Sequence, residues 1–89
     1  MQNAKWLNNL DELKQQIVTA NNQLQNLEVY LFESKTQFCV LTIFDKRNYK
    51  TRVTQAINLQ SNVHTGLAKG LLSVAINRQK IVNQVKAAA

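Results

Sequence analysis

The residues best suited to chemistry lie together between positions 46 and 52. There Lys46, Arg47, Lys50 and Arg52 place four cations within seven residues, around Asn48, Tyr49 and Thr51. Clustered ammonium and guanidinium groups attract phosphate, and an interleaved tyrosine offers a flat face to a nucleobase. The same composition also serves as a plain solvated turn. Other reactive side chains are few. His64, the sole histidine, has no second His, Cys or carboxylate at metal-ligand spacing, so it reads as a polar residue on a helix seam. Asp11 and Glu12 are adjacent, and neighbouring helical positions point about 100° apart, which defeats paired acid/base work; their charge suits a helix N-terminus. Cys39 excludes an internal disulfide and sits in the most apolar stretch, where a small buried core residue is expected. No phosphate loop, nucleophile elbow, Cys-x-x-Cys pair, EF-hand or HExxH motif is present. The expectation is a protein that is not an enzyme, with no cofactor, no metal site and no small-molecule substrate.

The charge balance sharpens the interest in the basic segment. Net charge is +6, and residues 45–89 hold eight of the eleven cations with Asp45 as their one acid. A basic half suits an anionic partner: nucleic acid, an acidic protein face or anionic lipid. Amides are abundant, eleven Asn and ten Gln, and keep helix surfaces soluble without carrying charge. At 89 residues the chain is one domain, small enough that oligomerisation or a permanent partner is favoured. No signal peptide is evident and no apolar run approaches the ~20 residues of a membrane span, so an intracellular, cytoplasmic location is expected.

The elements that must position these residues are read from periodicity. Trp6, Leu10, Leu13, Ile17, Ala20, Leu24, Leu27 and Leu31 alternate four- and three-residue steps. That spacing lays them on one seam of a helix over residues 4–34, capped by Asn3, in the manner of a coiled coil. The dense apolar stretch 37–44, the turn residues Asp45–Asn48 and the alternation through 49–55 predict a β-hairpin with a basic tip, Lys50 and Arg52 on one face and Tyr49 and Thr51 on the other. The alternative is a continuous helix turning near 45–51, a pure helical hairpin. A second helix is expected over 58–87, capped by Asn58 or Ser61. Leu67, Leu71, Val74, Ile81 and Val85 keep the four-three spacing, and Leu59, Val63, Ala68, Leu72, Ala75 and Val82 broaden the apolar face. Gly66 and Gly70 suit close approach of another backbone, and Arg78 is placed to pair with Glu28 or Glu33.

The expected architecture is therefore mainly α: two long antiparallel coiled-coil-like helices joined by a short β-hairpin. In that general arrangement it resembles prefoldin-type subunits, with no motif shared and no residue role implied. The function expected is interaction or assembly, the chain self-associating or docking on a larger protein as a homo- or hetero-oligomer. The interface residues would be Trp6, Leu10, Leu13, Ile17, Leu24, Leu27, Leu31, Gly66, Leu67, Gly70, Leu71, Val74 and Ile81. The alternatives are nucleic-acid binding through Lys46, Arg47, Tyr49, Lys50 and Arg52, or inhibition by occluding a partner complex.

Overall fold

The computed structural model describes residues 5–88 and shows the order α-β-β-β-α. Helix α1 spans Lys5–Gln23, strands β1, β2 and β3 span Leu27–Glu33, Phe38–Asp45 and Asn48–Asn58, and helix α2 spans Asn62–Ala88. The strands form one antiparallel meander with β2 in the centre. This overturns the two-helix coiled coil with a short hairpin, and with it the likeness to prefoldin-type subunits: the described residues are 55% helix and 31% strand. The Asn3 cap lies outside the described residues.

The first helix ends at Gln23, well before the expected residue 34. Its last turn closes with Leu24 N–H donating to the Ala20 carbonyl, and the side chain of Asn21 then binds the backbone of Val29 in the next strand. From Leu27 the sequence Leu-Glu-Val-Tyr-Leu-Phe-Glu alternates, and its aromatic and β-branched residues fit a pleated surface better than a helix. Leu27 and Leu31 satisfy both readings because a four-residue step is common to a helical seam and one face of a strand. Val29, Tyr30 and Phe32 satisfy only the strand. The stretch 38–58 forms β2 and β3, the hairpin strands, but as two-thirds of a sheet rather than as a link between helices.

One face of the sheet is buried. Val29, Cys39, Leu41 and Ile57 join Leu10, Leu13, Ile17, Ala20 and Leu24 from the α1 side, Leu59 from the β3–α2 connection, and Ala68, Leu72 and Ala75 from α2 in a single core. The α1 seam thus finds its cover inside this chain, not in a partner. Trp6, Leu27, Leu31 and Leu71 pack at its margin. The second helix begins at Asn62, and Ser61 is its cap, its Oγ accepting from the N–H of His64 at 3.2 Å. His64 also departs from the seam role: its Nδ1 accepts the Asn58 N–H at 2.9 Å, closing the β3–α2 turn. Glu33 pairs with Lys14 at 3.2 Å and not with Arg78.

Candidate functional site: an open aromatic sheet face

The register that buries one face fixes what stands on the other. Opposite the core, β1 presents Glu28, Tyr30 and Phe32, β2 presents Phe38, Val40, Thr42 and Phe44, and β3 presents Arg52, Thr54 and Ala56. No helix of the described residues covers this side. Tyr30, Phe32 and Phe38 are 50%, 56% and 54% exposed, and Tyr49 is 65% exposed. Large aromatic rings in a row on water-facing sheet are unusual, since antiparallel sheets that face solvent carry polar residues there.

The rings are ordered around a groove. Tyr30 and Phe32 meet edge to face with centroids 4.5 Å apart, and Phe44 and Tyr49 lie 5.3 Å apart at 35°. The two pairs flank buried Thr42 and, with Arg52, line a shallow depression of about 410 Å³. Thr42 sits opposite Tyr30 on β1 and Thr54 on β3, and Arg52 sits opposite Phe44.

The tip differs from simple alternation. Phe44 pairs with Arg52 but Asp45 pairs with Asn48, so the register shifts between them and β3 carries extra residues there. Such a bulge re-aims side chains. Tyr49 consequently lies against Phe44 in the same groove as Arg52, whereas strict alternation assigns it the other face. The turn itself is held by Asp45, whose carboxylate accepts from the Arg47 backbone N–H at 2.8 Å and from its guanidinium at 3.0 and 2.9 Å. These bonds, the side-chain one foremost, pull the Asp45 carboxyl down to about 2. Arg47 is therefore committed to Asp45. Lys46 anchors the tip differently, its N–H donating to the Asn26 carbonyl at 2.8 Å. Among the described residues Lys46, Lys50 and Arg52 form no ion pair, and Arg52 reaches only the Tyr49 carbonyl at 3.4 Å.

The other expected site residues separate into two groups. Leu10, Leu13, Ile17 and Leu24 are core, whereas Leu67, Val74 and Ile81 stand on the exposed side of α2. At Gly66 and Gly70 an added Cβ would meet nothing within 4 Å, so neither serves a close approach within this chain. Cys39 is buried, and that burial, with Glu33 nearby, raises its thiol pKa. Among the described residues no group of three His, Cys, Asp or Glu side chains could hold a metal, and no helix is long and apolar enough to cross a membrane. Of the groove residues, Tyr49 and Arg52 are among those the sequence singles out, whereas Tyr30, Phe32, Thr42 and Phe44 are not; the alternation in 27–33 is the signal that carries Tyr30 and Phe32. No protein-family model, curated protein or solved structure matches this chain.

Proposed function

We propose that the open sheet face binds single-stranded nucleic acid, with bases stacking on Tyr30, Phe32, Phe44 and Tyr49 and phosphates held by Arg52, Lys50 and Lys46. The observation that carries this reading is the groove in which two aromatic pairs and an unpaired guanidinium meet on an uncovered surface. Aromatic platforms bordered by cations are the physical requirement for holding unpaired bases, because every base has a π-face and every linkage a charge. Base–aromatic stacking contributes about 1–3 kcal/mol per base, so two or three stacked bases suffice for binding when charge is added. A duplex hides its π-faces and gains only the charge contribution.

Fluorescence anisotropy with labelled oligo-dT and oligo-U, repeated with duplex of equal length, tests the reading. Single strands are expected to bind more tightly, with affinity falling steeply as salt rises and lost when Phe32 and Phe44 are both replaced by Ala. Equal binding of duplex and single strand, or indifference to the aromatic substitutions, would leave only diffuse charge attraction.

The assembly reading has a narrower basis than the heptad spacing suggested, since the α1 seam is used internally. What favours it is the outward side of α2.

A further inference from the structure

Helix α2 has apolar faces on opposite sides. Thr65, Ala68, Leu72 and Ala75 are buried toward α1 and the sheet. On the other side Val63, Leu67, Val74, Ile81 and Val85 are 54–69% exposed. At 100° per residue these five fall within an arc of about 40°, a stripe about 33 Å long. Its end, Ile81 and Val85, belongs to turns past the body of the protein: Ile76 packs on the core margin and Gln79 accepts from the Gln25 N–H, but every described residue after Gln79 is exposed.

The shape of the whole molecule agrees with a missing cover. Its radius of gyration is 14.4 Å, against about 12 Å for a compact chain of this length, and its longest axis is 56 Å. It exposes 6231 Å², about 950 Å² more than a typical 10.1 kDa monomer. A stable pair of standard size covers about 800 Å² on each partner. The surplus is of the size one such contact removes.

We infer that the cover is a second copy of this chain, packed α2 against α2, antiparallel, on a two-fold axis at Val74. This register sets Leu67 opposite Ile81 and Val63 opposite Val85, so each projecting tail lies over the other copy's helix stem. It also sets Arg78 opposite Gly70, where the missing side chain leaves room for the guanidinium. A parallel pair would stack Arg78 on Arg78 and align the helix dipoles, both unfavourable. Leu67, Gly70 and Val74 border a groove beside Gln55 of β3, which gives the incoming tail a second wall. The aromatic rings of the sheet face lie on the far side of the core and stay open in the pair; Arg52 alone also borders a pocket with Val74 and Arg78, so the two proposals are told apart by Phe32 and Phe44 on one side and Ile81 and Gly70 on the other.

Size-exclusion chromatography with light scattering on the full chain is expected to give twice the 10.1 kDa mass. The pair should tighten with added salt, because both copies are cationic and screening relieves their repulsion; nucleic-acid binding should do the reverse. Ile81→Asp should weaken the pair at least about 100-fold, since it buries a charge at the seam. Gly70→Leu is the control for folding: one copy has open space there and gains helix propensity, yet the dimer loses the room for Arg78. Under mild oxidation Val74→Cys should cross-link to itself, whereas Val63→Cys should cross-link to Val85→Cys in a mixed sample and not to itself. A monomer mass at millimolar concentration overturns the inference. So does a dimer indifferent to Ile81→Asp and Gly70→Leu, or one in which Val63→Cys links to itself.

Discussion

Asn21 and Val29 are joined twice: the Asn21 Nδ2 donates to the Val29 carbonyl at 3.0 Å, and the Val29 N–H donates to Asn21 Oδ1 at 2.8 Å. A side-chain amide thereby stands where a further strand would pair with the outer edge of β1. The bond satisfies backbone groups of a residue that is 2% exposed and fixes the point where helix gives way to sheet. Asn21→Ala leaves both groups without a partner and should cost about 1–3 kcal/mol. Asn21→Asp keeps the acceptor, loses the donor and sets a carboxylate against a carbonyl, so it should also destabilise. Urea unfolding, with a lowered midpoint and unchanged slope, reads both.

This junction also explains how much of the fold the sequence makes legible. The 4–3 spacing through Leu10, Leu13, Ile17 and Ala20 marks α1 truly, because those residues are the buried face of a helix. Leu24 continues the spacing into the turn, and Leu27 and Leu31 continue it into β1, since residues four apart share a face in either conformation. No Gly or Pro interrupts this region, and the break is made by an Asn side chain whose partner is eight residues away. A contact that depends on folding leaves no local mark. The basic tip was legible as a turn, but the bulge that turns Tyr49 toward Phe44 depends on pairing register, which alternation alone does not reveal. The four-three spacing in α2 is likewise visible, while which of its two faces the sheet takes is decided only by the packing of Ala68, Leu72 and Ala75.

Asp45 gives the fold a defined acid limb. Its carboxyl is held down to about 2, chiefly by the hydrogen bond from the Arg47 side chain and then by the Arg47 N–H. The unfolded chain takes up this proton near the ordinary value of about 3.9, whereas the folded chain resists until about 2. The contribution to stability is therefore complete above pH ~3.9 and lost as pH falls through about 2. Carboxyl-carbon NMR titration should place Asp45 there, and Arg47→Ala should move it up toward the ordinary range.

The β3–α2 turn depends on His64 as an acceptor. Its Nδ1 takes the Asn58 N–H at 2.9 Å while Ser61 caps the helix that begins beside it. His64→Ala leaves a half-buried donor unpaired, and Ser61→Ala removes the cap; each should cost about 1 kcal/mol in equilibrium unfolding. Because both groups serve one turn, the double variant should lose less than the two single costs combined.

Cys39 should be chemically quiet in the folded protein. It is buried, and burial followed by the charge of Glu33 raises its thiol pKa, so the reactive thiolate is scarce near neutrality. Thiol titration with an aromatic disulfide should proceed slowly in buffer and fast in denaturant. Asn21→Ala should accelerate the slow reaction by lowering the cost of opening, which makes this rate a second readout of the same junction.

The sharpest test of the sheet face compares two arginines. Arg47 and Arg52 lie five residues apart at the same tip, yet Arg47 is bound bidentately to Asp45 while Arg52 lines the groove with Phe44 and Tyr49 and has no acid partner. If phosphates are held at this groove, Arg52→Gln should reduce the slope of log affinity against log salt by about 0.7 for a single strand, the amount expected from one phosphate contact. Arg47→Gln should leave the slope close to unchanged, because its charge is already neutralised locally. Diffuse attraction to a cationic chain would treat the two alike, since each removes one positive charge. A difference in slope between them therefore reports on geometry at the groove, and equality would reduce the interaction to net charge.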